Sequence, residues 1–196
     1  MRGSRAKRSA PFNFNLMFSM ELKSIVPLND IKAAAHDVSE YDNELDDGRS
    51  VISDICEIFA DIETIVFSVS GFGDEKWSVD CRFDLPGIIE QLPEIISKIN
   101  NKDFNFKLDF YEQGIEREIN FTFNDEDVVV LECISRNEWV PEPGKIGMGK
   151  ENVYKIFDNI YQKFLLYSAV LCNDLANHHL LKEWMEIKRN RVLDTE

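Results

Sequence analysis

The sequence predicts an α+β fold: a five-stranded, mostly antiparallel sheet with helices packed on its apolar face, and a long helical segment towards the C-terminal end. Three observations lead there. Apolar residues recur at a helical period of about 3.6, switch to alternation, then return to the helical period. The alternating runs are joined by short turns, whereas a parallel pair needs a crossover of about a dozen residues. An apolar stripe at helical spacing then runs from about Glu151 to Arg189.

Taken in order, Asp30 can cap a short helix from Ile31 to about Val38, and Ser50 can cap the next, in which Val51, Ile55, Ile58, Phe59 and Ile62 share a face. Ile65, Phe67 and Val69 then alternate with Val66, Ser68 and Ser70. Beyond a Gly71-Phe72-Gly73-Asp74 turn, Trp77, Val79, Cys81 and Phe83 alternate with polar residues, which predicts a hairpin. Ile88, Ile89, Leu92, Ile95, Ile96 and Ile99 restore the helical pattern. Pro86 suits its first turn, while Pro93 should kink or divide it.

Three strands follow, over Phe104–Tyr111, Glu118–Phe123 and Val128–Leu131. The last is apolar on both faces and is expected to be central or covered on both sides. Arg136–Gly149, with two prolines and three glycines, is expected to be a loop. In the C-terminal stripe, the polar stretch Asn173–His179 is where a break into two helices is expected. Ser78, Asp80, Arg82, Asn105, Lys107, Asp109, Glu118, Asn120 and Thr122 should line the polar sheet face, most simply as a solvated surface.

The first nineteen residues differ from the rest. Arg2, Arg5, Lys7 and Arg8 stand there without an acid, and the apolar run Phe12–Phe18 is interrupted by Asn13 and Asn15, too polar for a secretory signal. Residues 1–19 are read as a leader outside the fold and 20–196 as a single domain. The chain has 36 acidic against 22 basic residues and a formal net charge of −14. Four of the bases belong to the leader, so the acidity resides in the domain. Such a field repels nucleic-acid phosphates and anionic membrane surfaces and attracts cationic partners. No run approaches the ~18 apolar residues of a membrane helix. The cysteines Cys56, Cys81, Cys133 and Cys172 are scattered, form no CxxC, and are expected to be small buried hydrophobes in a reducing, cytoplasmic compartment.

No set of residues with catalytic spacing stands out. Gly144-Lys145-Ile146-Gly147-Met148-Gly149-Lys150 has GxxxxGK spacing, in which backbone N–H groups would cradle phosphates and a following hydroxyl would hold magnesium. Glu151 occupies the hydroxyl position, and the antiparallel setting is wrong for that loop, so no nucleotide is expected. Asp174/His178 and His179/Glu183 have i,i+4 spacing, but adjacent histidines diverge by roughly 100° on a helix and the four cannot converge on a metal. Neither metal nor cofactor is expected.

The most distinctive feature is acidic. Between residues 37 and 63 ten acids stand against one base, Arg49. Asp37, Glu40, Asp42, Glu44, Asp46, Asp47, Asp54, Glu57 and Asp61 are candidate contacts for a basic protein, where complementary charge speeds encounter and fixes orientation. Trp139, in the acidic loop Asn137–Pro143, is a candidate aromatic anchor.

In its size, acidity, lack of a catalytic set and strand–helix pattern from Thr64 to Cys133, the chain resembles bacterial toxin-immunity proteins. That resemblance implies a non-enzymatic, cytoplasmic α+β domain that binds and neutralises a toxin. The competing expectation is a small hydrolase or small-molecule-binding domain with a pocket on the polar sheet face, built around Asp80, Asp109 and Tyr111.

Overall fold

In a computed structural model the structure describes residues 17–31, 40–42, 44–124 and 127–190. The elements run β1 (Ser19–Ser24), α1 (Gly48–Asp61), β2 (Ile65–Ser70), α2 (Asp84–Asn100), β3 (Phe106–Phe110), β4 (Arg117–Phe123), β5 (Val128–Ser135), β6 (Lys145–Gly149), α3 (Lys150–Leu171), α4 (Asn173–Ala176) and α5 (His179–Asn190), with a 3-10 turn at Leu28–Asp30. The helix expected from Ile31 to Val38 lies, past Ile31, outside the described residues.

The α+β class holds, but the single five-stranded sheet does not. The strands form two antiparallel sheets, a pair β1–β2 and a meander β3–β4–β5–β6. Two local causes separate expectation from outcome. The turn at Gly71–Asp74 forms, and Trp77 N–H still donates to the Val69 carbonyl. Past Trp77 the chain leaves the sheet, because Asp80 accepts the Phe83 N–H at 2.7 Å and Asp84 accepts the Asp80 N–H at 2.9 Å. These side-chain bonds gather Asp80–Phe83 into a turn that leads directly into α2, so the second arm of the expected hairpin is lost. Pro86 falls within the first four residues of α2, where no intrahelical donor is needed, and α2 runs through Pro93 as one helix rather than dividing.

The partner of β2 is β1 instead, in the register Met20↔Val69 and Leu22↔Phe67. This strand includes Ser19 and follows Phe18, both assigned to the leader from sequence. Phe18 is 1% exposed, and its ring lies 6.2 Å from Phe72, 6.2 Å from Trp77 and 6.4 Å from Phe121. It joins the small sheet to the large one, so the fold begins before the leader was expected to end.

In the meander the register Phe106↔Phe121↔Leu131↔Ile146 puts an apolar row on one face, and Lys107↔Asn120↔Glu132↔Lys145 puts a polar row on the other. Strand β5 is flanked on both sides, as its apolar run implies. Strand β6 occupies what reads as a loop, because glycines at 147 and 149 hide its alternation and Met148 alone is buried. The polar face carries Lys107–Glu118 and Lys145–Glu132 ion pairs, each at 3.0 Å. Against the apolar face packs α3, with Phe157 in edge contact with Phe106 and Phe121, whose own rings stack at 4.5 Å. The expected break in the C-terminal helices occurs at Cys172 and again at Asn177–His178.

One continuous hydrophobic cluster contains both sheets and all the long helices. Cys56, Cys81 and Cys133 lie inside it, and Cys172 at its edge. Burial pushes the thiols of Cys81 and Cys133 up to about 11 and that of Cys172 to about 12, which disfavours the thiolate. Among the described residues no helix is long and apolar enough to cross a membrane.

Candidate functional site

The acidic segment is more ordered than its composition suggests, because most of its carboxylates are engaged by their own neighbourhood. Helix α1 starts at Gly48, ahead of the Ser50 cap expected, and its cap is Asp47, which accepts the Arg49 N–H at 2.8 Å. The same carboxylate holds the Arg49 guanidinium, with Nη2 to Oδ2 at 2.8 Å. Ser50 instead donates its hydroxyl to Asp46 at 2.7 Å, and Asp46 also accepts the Asp42 N–H at 2.9 Å. Those bonds hold the Asp46 carboxyl below its usual range. Asp42 in turn accepts the Glu44 N–H at 2.8 Å. The result is a bonded set of acids, Asp42, Asp46 and Asp47, at the amino end of α1.

Further along, the acids serve different structural contacts. Tyr41 donates its hydroxyl to Asp54 at 2.6 Å, and burial together with that carboxylate raises the phenol well above its ordinary range. The Tyr41 ring packs 4.8 Å from that of His178. Glu57 and Asp61 share Arg82, which reaches each at 2.5 Å. Glu40, Glu44 and Glu63 are exposed. Asp37 lies outside the described residues. Of the proposed partner contacts, then, Asp42, Glu44, Asp46 and Asp47 are brought together on one loop, while Asp54, Glu57 and Asp61 are committed along α1.

The Asp42–Asp47 loop borders a groove of about 790 Å³ between the start of α1, α2, β3 and α5. Its walls carry Asp47, Glu90, Glu94 and Glu183, with Phe106, Leu180 and Trp184 as apolar surface. Gly48 is required here: a Cβ on it would collide with the Trp184 side chain, so only glycine lets α1 and α5 meet this closely. The cations of the groove are paired, Arg49 with Asp47, Lys98 with Glu94 at 3.8 Å, and Lys107 with Glu118 at 3.0 Å. Glu183 makes no ion pair among the described residues. The groove was not found from sequence, nor were Glu90 and Glu94; Glu183 was noted only for its spacing from His179. The acids lie on two amphipathic helices, and only the packing assembles them.

Trp139 is not part of this surface. It is half-buried against Arg117, whose guanidinium carbon lies 3.6 Å from its ring centroid and 4.3 Å from that of Trp77. Arg117 is 5% exposed and donates to Asp74 at 3.1 Å. The residue expected to anchor a partner instead covers a buried cation. Sequence gave no sign of this, because Trp77, Arg117 and Trp139 come from three distant segments.

The residues of the competing pocket are also dispersed. Asp80 sits in the turn before α2, and Asp109 is held by Arg136 at 2.5 Å. Tyr111 packs over Gly87, with its phenol pushed up to about 12 by burial. None of the three lines the 790 Å³ groove. His178 lies between α4 and α5, so the Asp174/His178 spacing does not fall on one helix. The described residues contain no group of three or more His, Cys, Asp or Glu placed to hold a metal ion.

The fold and groove define the class no further than an α+β domain with an acid-bordered cleft. No family model, curated protein or solved structure matches the chain significantly.

Proposed function

We propose that the chain is a non-catalytic binding protein that captures a basic segment of a protein partner, in the manner of an immunity protein blocking a toxin. The observation that carries this reading is the bonded set Asp42, Asp46 and Asp47 beside a groove walled by Glu90, Glu94 and Glu183 and surfaced by Trp184. The carboxylates of Asp42, Asp46 and Asp47 are held before any partner arrives, which lowers the ordering cost of association. The groove supplies an apolar contact beside the charges, the combination that gives residence time as well as encounter rate. The overall charge of −14 adds long-range attraction for a cation-rich surface.

The test uses a basic protein captured by pull-down with this chain, and the variant Glu40→Gln, Glu44→Gln, Glu94→Gln, Glu183→Gln. All four glutamates are exposed, and the helix-capping Asp47 and its neighbour Asp46 are left in place. Association should slow by about tenfold at low salt and lose most of its salt dependence, with the melting temperature unchanged. Equal rates and equal salt slopes for the two proteins would rule the acidic surface out as the docking site.

A further inference from the structure

On the side of the molecule formed by the end of α2 and the start of α3 lies a second groove, of about 740 Å³, with the opposite character. Three lysines line it, Lys102, Lys150 and Lys155, together with the rings of Phe104, Phe123 and Tyr154. Phe123 and Tyr154 are 36% and 40% exposed, and Phe104 and Phe123 lie 6.0 Å apart at a tilt of 34°. Aromatic surface is therefore open to solvent between cations. Lys150 pairs with Asp127 and lies 5.9 Å from the Phe123 ring centroid. Lys102 and Lys155 are exposed and make no ion pair among the described residues. Among the described residues, Glu151 supplies the only carboxylate on the walls.

This is a local inversion of charge in a chain with 36 acids and 22 bases, where a lysine without a carboxylate partner is the less expected arrangement. The first turn of α3 forms the same wall, and its cap, Gly149, has no side chain to accept the turn's N–H groups. An anion placed there meets lysine ammonium groups, while a flat ring attached to it meets the exposed rings of Phe123 and Tyr154. The motif Gly144–Lys150 ends at this wall, but Lys145–Gly149 is an extended edge strand and not a phosphate-cradling loop. We infer that this groove binds a planar aromatic molecule bearing a negative charge, a site separate from the acidic surface.

The probe is 1-anilinonaphthalene-8-sulfonate, with the neutral N-phenyl-1-naphthylamine as its uncharged counterpart. Fluorescence and calorimetric titration of the full chain should show saturable one-to-one binding of the sulfonate, and binding of the neutral analogue weaker by about tenfold. Lys102→Gln with Lys155→Gln, both exposed, should weaken the sulfonate by a similar factor without changing the melting temperature. Tyr154→Ala should weaken both probes, and Lys107→Gln, on the polar sheet face, neither. Non-saturable binding, equal affinity for the two probes, or a double lysine variant that binds like the parent would overturn the assignment. None of these results bears on the acidic surface, whose partner carries the opposite charge.

Discussion

The guanidinium of Arg117 lies over two indole rings set at 61° to each other, an arrangement that replaces lost hydration with ring quadrupoles. Its Nε finds no hydrogen-bond partner among the described residues, so the rings and Asp74 must offset that cost. Trp139 is one of the two rings. Trp139→Ala should lower unfolding free energy by about 2–3 kcal/mol in denaturant titrations, since it removes both packing and a cation–π face. A loss under about 0.5 kcal/mol would mean that the segment around Trp139 merely rests on the surface. Asp84 behaves in the opposite sense. Burial raises its carboxyl above the ordinary range although it accepts the Asp80 N–H. A raised acid penalises the folded state once pH exceeds its folded pKa, and the penalty disappears below the unfolded one. Asp84→Asn keeps the acceptor and removes the charge. Its melting temperature should therefore exceed the parent's at about pH 7 and converge with it near about pH 3, and a gap constant with pH would exclude the effect.

At the level of elements, what the sequence revealed were segments whose pattern comes from one clear alternation. The faces of α1 and α2, the polar and apolar rows of β3 and β4, the central position of β5 and the break after α3 all follow from residue spacing. Three misreadings have separate physical causes. Val79, Cys81 and Phe83 alternate like a strand, but the carboxylates of Asp80 and Asp84 bond locally and wind the chain into α2. Strand β6 has glycines where alternation would show. Strand β1 begins next to Phe18, in a stretch whose composition matches the basic leader better than the core. A chain starting at Met20 loses Phe18 and should melt lower by roughly 6 °C or more, taking the ~3–5 kcal/mol of a buried Phe truncation and ~2–4 °C per kcal/mol. Unchanged melting would show that the two sheets stay joined without that ring.

Across the whole molecule, the charge balance was legible from composition, but its placement was not. The sequence concentrates acids between residues 37 and 63, yet folding spends Asp54, Glu57 and Asp61 on Tyr41 and Arg82 and gathers Asp42, Glu44, Asp46 and Asp47 at the start of α1. The groove beside it draws on Glu90, Glu94 and Glu183, which no window along the chain would group. The two grooves carry opposite chemistry, so salt should act on them differently. Association of a basic protein should weaken steeply as the Debye length falls from about 10 Å at 0.1 M to about 3 Å at 1 M. Binding of the aromatic sulfonate should weaken less, because ring contacts are insensitive to screening. Parallel titrations at the two salt concentrations measure both slopes, and equal slopes would contradict this division.

The position of β1 carries a consequence for how the chain reaches its native state. Its cross-links run to β2 and, through Lys163 to Glu21 and the Ser24 N–H to the Tyr167 hydroxyl, to α3, up to 143 residues away in sequence. Strand β1 thus waits for a distant helix, and until α3 emerges it lacks that partner even where Phe72, Trp77 and Phe121 already cover Phe18. Contacts of that separation close late and slowly, whereas the β3–β6 meander can form early from neighbours. Synthesis of this protein should therefore pass through a stage in which the meander is built and the amino-terminal strand is still undocked, a stage exposed to chaperones and proteases.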